Sequence, residues 1–126
     1  MKDSEAKILI IEDDSALRQA IVDKLKREGF QVVDAQNGKI GLEKAINEKP
    51  DLILLDIIMP VMHGMDVLEE LRQDDWGKQA KIILMTNLAE DNKMAKAMDL
   101  GVKDYLIKGD WKLNDVIDKV REVLNR

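Results

Sequence analysis

Short runs of Leu, Ile and Val alternate along the chain with longer stretches whose apolar residues recur every three or four positions. The runs at 8–11, 31–35, 52–56, 81–85 and 104–107 predict five strands. Several are almost wholly apolar, as strands covered on both faces of a parallel sheet must be. Between them, Leu17, Ile21 and Leu25 share a helical face that stops at Gly29, and Ile40, Leu42, Ala45 and Ile46 share another before Pro50. Met65, Leu68 and Leu71 mark a third helix, and Met94, Ala97 and Met98 a fourth that ends before Gly101. Leu113, Val116, Ile117, Val120 and Leu124 line one side of a fifth.

Five strands alternating with five helices predict an α/β fold, a (βα)5 doubly wound, flavodoxin-like parallel five-stranded sheet. Right-handed crossovers leave few strand orders. The order 2-1-3-4-5 sets the first and third strands side by side, with their carboxyl ends on one crevice. Residues 1–126 read as a single domain with a polar N-terminal tail at 1–6.

Size and composition narrow the function classes. A chain of 126 residues buries about two-thirds of its unfolded surface on folding and needs no staple. The absence of cysteine excludes thiolate catalysis and a cysteine-based zinc site and fits a reducing compartment. No apolar run approaches the roughly 20 residues of a membrane span, and the polar start lacks the apolar core of a signal peptide, so a cytoplasmic protein with no membrane role is expected. The net charge of −5, with both signs mixed along the chain and few aromatics, speaks against direct nucleic-acid binding.

The chemistry gathers at the strand ends. The first strand runs into Glu12, Asp13 and Asp14, and the third, Asp51-Leu-Ile-Leu-Leu-Asp56, ends in a carboxylate. The fourth ends at Thr86 and the fifth at Lys108. Clustered carboxylates repel one another unless a cation or protons intervene. A hydroxyl and an ammonium beside them suit Mg²⁺ with a phosphoryl group, and Asp56 could then serve as the nucleophile. Taken singly, each residue has a plainer reading. The acids after the first strand, Asp14 above all, can cap the next helix. Thr86 can be a turn residue, Lys108 a solvated strand-end lysine and Tyr105 a half-buried strand aromatic. Met59, Met62 and Met65 are expected to pack, and His63 to lie exposed. Trp76 and Trp111 receive no role.

The set Ile-Leu-Ile-Ile-Glu-Asp-Asp at 8–14, Asp-Leu-Ile-Leu-Leu-Asp-Ile-Ile-Met-Pro at 51–60, Gly64, Met85-Thr86 and Asp104-Tyr-Leu-Ile-Lys at 104–108 resembles the receiver domain of two-component response regulators. The resemblance spans nearly the whole chain and is nearest to the stand-alone, chemotaxis-regulator-like members. It implies that Asp56 accepts a phosphoryl group from a sensor histidine kinase, a phosphotransfer protein or a small phosphodonor. It implies Mg²⁺ held by Asp13 and Asp56 directly, by Glu12 through water and by the backbone carbonyl of Ile58. Thr86 would bond the phosphoryl oxygen, Lys108 would pair with it, and Thr86 with Tyr105 would form the switch. The readout would be an altered face of the fourth helix, fifth strand and fifth helix that binds a downstream protein, as a monomer or an activation-dependent homodimer. Such a chain is no enzyme beyond phosphorylating and dephosphorylating itself.

Four residues depart from the family pattern. Gly109 stands where proline is usual, Asn87 where a small residue is common, and Ile58 and Leu88 are apolar at positions that tune the lifetime of the phosphoryl group. The mixed charge of Lys93, Lys96 and Asp99 on the fourth helix, and of Asp115, Asp118, Lys119 and Glu122 on the fifth, reads as a solvated face or a polar interface. A Mg²⁺-dependent phosphatase or phosphotransferase with an aspartate nucleophile is the alternative, but such enzymes usually carry a second aspartate where Ile58 stands. A flavin carrier would need a Ser/Thr/Gly-rich loop where Glu12–Asp14 lie. A receiver-like scaffold that no longer uses phosphate is the remaining alternative.

Overall fold

The computed structural model describes residues 2–86 and 91–126, excepting the side chains of residues 3 and 91–93. The strands are β1 (Lys7–Ile11), β2 (Gln31–Ala35), β3 (Leu52–Asp56), β4 (Ile82–Thr86) and β5 (Asp104–Ile107). The helices are α1 (Ser15–Arg27), α2 (Gly38–Glu48), α3 (Gly64–Gln73), α4 (Asp91–Asp99) and α5 (Leu113–Leu124). All strand pairings are parallel, and the sheet order is β2-β1-β3-β4-β5. The doubly wound expectation is therefore met.

The two-residue period of each strand sorts its side chains onto two cores. Leu9, Ile11, Ile53, Leu55 and Leu84 pack with Ala45 of α2, Val67, Leu68 and Leu71 of α3 and Ala97 of α4. Ile8, Ile10, Leu52, Leu54, Ile83 and Met85 pack with Ile21, Val22 and Leu25 of α1 and Val116, Ile117 and Val120 of α5. Most of these side chains are fully buried, and each Val, Leu, Ile or Met among them contributes about 1.5–3 kcal/mol by leaving water. A one-residue slip of β3 would draw the Asp56 carboxylate in among apolar neighbours, so the pairing register fixes what projects from its end.

Local chemistry sets the helix ends. The Asp14 carboxylate accepts from the backbone N–H groups of Ala16 and Leu17, so it is the N-cap its sequence position suggested. Asn37 caps α2 through Ile40. Two short 3₁₀ turns, at 3–5 and 77–79, were not expected. The tail expected at 1–6 is partly folded, with Ala6 buried and its carbonyl accepting from Gln31. None of the described helices is long and apolar enough to cross a membrane.

Candidate functional site

Because β1 and β3 are neighbours paired through Ile11 and Leu55, the residues that follow that pair, Glu12 and Asp56, emerge side by side. Glu12, Asp13 and Asp56 bring carboxylate oxygens within 4.8 Å of one another. Glu12 is 0 % exposed and Asp56 4 %, whereas Asp13 is open to solvent. Lys108, delivered by the end of β5, reaches both buried acids, with its Nζ 2.5 Å from Glu12 Oε1 and 3.2 Å from Asp56 Oδ2. The Lys108 backbone N–H donates to the Thr86 carbonyl at 2.6 Å, which ties the lysine to the end of β4.

Three carboxylates facing one ammonium leave two negative charges when all are ionised (three minus one). Burial, then a hydrogen bond and charge from Glu12, push the Asp56 carboxyl from 3.8 up to about 7 against the opposing pull of Lys108. Burial works against the Lys108 ammonium too. The hydrogen bond to Glu12 and the charges of Asp56 and Glu12 outweigh it and raise the lysine above its ordinary range. A small divalent cation meets this deficit. The donors are hard oxygens, and their spread is near the about 4.2 Å between opposite ligands around Mg²⁺.

The turn after β3 depends on Gly64. Its N–H donates to the Ile57 carbonyl at 2.7 Å, and a Cβ there would press on the Asp56 carbonyl and come within 2.8 Å of Ile57 Cα. Ile57 also donates to Met85, so both of its backbone groups are used inside the fold. Ile58 is the next carbonyl along, and its side chain is 51 % exposed at the rim. Val61, in the same turn, holds φ at +71° and is 74 % exposed. His63 is exposed, while Met59 and Met65 are buried and Met62 packs against the core.

Thr86 is buried and is the last residue of β4 rather than the first of the following loop. Tyr105 is half-buried, and its hydroxyl lies 3.3 Å from the Met94 carbonyl of α4 and 3.2 Å from that of Val102. Gly109 takes φ of +94°, a conformation closed to proline, so the loop carrying Lys108 has its own shape. Asn87 and Leu88 lie outside the described residues, as does the Lys93 side chain. Lys96 pairs with Glu69 of α3, and Lys119 pairs with Asp104 and Glu122. Trp76 and Trp111 each pack against a core cluster.

One group near the site escaped the sequence reading. Arg18, in the second turn of α1, donates from Nη1 to the Glu12 carbonyl at 2.8 Å and from Nε to Asp34 Oδ2 at 3.0 Å. Lys44 of α2 donates to the Asp34 carbonyl at 2.5 Å. Only the proximity of β1 and β2 joins these residues, and nothing in their spacing announces it.

An open parallel sheet with an acidic, lysine-braced crevice at its switch point defines an α/β domain suited to a divalent cation and an anionic group. Residues 8–121 match the family model of the response regulator receiver domain, and the chain belongs to that family, whose members serve two-component systems. It is 35 % identical over 120 residues to the chemotaxis protein CheY of Bacillus subtilis, covering 94 % of this chain and 98 % of that protein. It is 32 % identical to the response regulator ArlR of Staphylococcus saprophyticus, covering 95 % of this chain but 53 % of that one. The chain thus spans about half the length of some relatives and nearly all of another. Among solved structures, a CheY-like receiver domain protein from Methanospirillum hungatei superposes with a TM-score of 0.87 at 31 % identity, covering 95 % of this chain and 94 % of that one. The receiver domain of the sensor histidine kinase PA1611 from Pseudomonas aeruginosa, solved with magnesium in its active-site cleft, gives 0.86 at 25 % identity, covering 96 % and 98 %.

Proposed function

We propose that residues 1–126 act as one phospho-acceptor domain in which Asp56 takes a phosphoryl group from a phosphohistidine of a sensor kinase or phosphotransfer protein, or from a small acyl phosphate. The observation that carries this reading is the burial of Asp56 between Glu12 and Lys108 at the mouth of the sheet. A carboxylate oxygen of Asp56 attacks phosphorus. The P–N bond of a phosphohistidine breaks and the departing imidazole keeps the electron pair and takes up a proton, or the P–O bond of an acyl phosphate breaks and its carboxylate leaves with the pair. An acyl phosphate on Asp56 results. Asp13 and Asp56 would hold Mg²⁺ directly, Glu12 through water, and Ile58 through its carbonyl. When bound, Mg²⁺ supplies the charge that keeps Asp56 anionic and shields the transferred oxygens.

Lys108 pairs with the phosphoryl oxygens in this scheme, and Thr86 donates its hydroxyl to them. A pull on Thr86 at the end of β4 loosens the packing against which Tyr105 is set, and the Tyr105 hydroxyl leaves the Met94 and Val102 carbonyls. That resets the face of α4, β5 and α5 for a downstream protein or a second copy of the chain.

The test is phosphorylation with acetyl phosphate and Mg²⁺, followed by intact mass. A Mg²⁺-dependent adduct present in wild type and missing in Asp56→Asn is expected. An adduct that survives Asp56→Asn would sink the assignment, and steady turnover of added phosphomonoesters would instead indicate a phosphatase.

A further inference from the structure

The Glu12–Asp13 segment is gripped unevenly. The Glu12 N–H donates to the Ala35 carbonyl at 3.1 Å, and Glu12 Oε2 accepts from the Asp14 N–H at 3.1 Å. Its carbonyl, which is half of the peptide plane leading into Asp13, is held by a side chain alone, that of Arg18. The Asp13 carboxylate has no hydrogen bond or ion pair among the described residues, so beyond its own rotamers the backbone is what restrains where it points. Rotation of the Glu12–Asp13 peptide would swing Asp13 away from Glu12 and Asp56.

The grip is itself built. The Arg18 side chain is 16 % exposed and donates along two directions of its fork, to the Glu12 carbonyl and to Asp34. Lys44 fixes the Asp34 backbone from the α2 side. A chain of contacts therefore runs from α2 through β2 and α1 to the carbonyl before Asp13.

We propose that Arg18 is a positioning residue for the acidic crevice, and that its pairing with Asp34 sets how well Asp13 is aimed at a divalent cation. This rests on the reading of Glu12, Asp13 and Asp56 as the Mg²⁺ site. Two effects of the guanidinium oppose each other. Its positive charge near the crevice disfavours a cation, so charge alone predicts tighter Mg²⁺ binding once it is removed. Its grip on the Glu12 carbonyl orients the ligands, and loss of such an outer contact weakens metal affinity by about 10–100-fold. Orientation prevails here, because Asp13 has no other support.

The experiment is a Mg²⁺ titration of the whole chain by calorimetry and amide NMR, with melting temperatures in EDTA as the control for folding. Arg18→Met is expected to weaken Mg²⁺ binding about tenfold while the chain stays folded. Arg18→Lys keeps the charge but cannot span both acceptors, and it is expected to fall between wild type and Arg18→Met. It also carries the test should Arg18→Met fail to fold. Asp34→Asn is expected to weaken binding as well, and the double variant to be no weaker than Arg18→Met, since the two residues form one brace. Equal or tighter binding in Arg18→Met and Arg18→Lys, or losses that multiply in the double variant, would overturn the brace while leaving the Mg²⁺ site standing. A wild-type chain that binds no Mg²⁺ would remove the site and the brace together.

Discussion

Replacing Asp56 with Asn should make this domain more stable, and by an amount that depends on pH. The carboxyl is raised from 3.8 to about 7 by burial and by Glu12, with Lys108 only partly offsetting them. Between those values the folded chain holds a proton at Asp56 that the unfolded chain has released. Stability conferred by this group is therefore present at low pH and is lost as pH rises through that window. At about 1.4 kcal/mol per pKa unit, the ionised carboxylate destabilises the fold by on the order of 2–4 kcal/mol above pH 7. Asparagine has nearly the same shape and no charge, so at pH 8 without metal it should raise the melting temperature by on the order of 10 °C. The gap over wild type should fall by more than half at pH 5, and saturating Mg²⁺ should narrow it at pH 8 by binding the wild-type crevice. Urea unfolding of both chains at the two pH values, with EDTA and with Mg²⁺, measures all three. A variant no more stable than wild type at pH 8, or a gap independent of pH, would refute the attribution to Asp56 ionisation.

Lys108→Met removes the ammonium shared by Glu12 and Asp56. In EDTA it should destabilise the fold by about 3–5 kcal/mol, the usual effect of stripping one partner from a buried pair, and Mg²⁺ should restore more stability than in wild type, as denaturant titrations would reveal. Gly64→Ala drives a Cβ onto the Asp56 carbonyl and Ile57 Cα; a loss of about 1–3 kcal/mol and displaced amide resonances at 56–58 are expected. Val61→Gly relieves a branched residue at φ +71° and should add about 1 kcal/mol of stability, readable as a higher melting temperature; a lower one would mean the strain is not there.

Most of the fold was legible because its strands are nearly pure Leu and Ile and its helices carry clear apolar faces. All five strands fall within one residue of their expected bounds on that basis alone. The fourth was read as 81–85 but forms Ile82–Thr86, because Thr86 pairs with Ile107 of β5 and pairing, not side-chain character, ends a strand. Glu12, Asp13 and Asp56 meet as expected because β1 and β3 are neighbours, and the long Lys108 side chain reaches them from the end of β5 across β4. Arg18 and Asp34 stayed hidden because their contact crosses between α1 and β2, 16 positions apart, and each alone looks like a surface charge. Gly109 was recognised as a departure, but its left-handed φ belongs to a loop no local pattern describes.

Lys108 has a consequence for when the crevice responds. It is a cation on a leash, present beside Glu12 and Asp56 at an effective concentration that short tethers typically set in the millimolar range or above. Any diffusing cation must compete with it. For a divalent cation the tethered ammonium would raise the apparent Kd by a constant factor, and new oxygen atoms that gave the ammonium another partner would lower it again. The lysine would thus set the ion concentration at which the crevice half-fills, and its tether length would tune that midpoint.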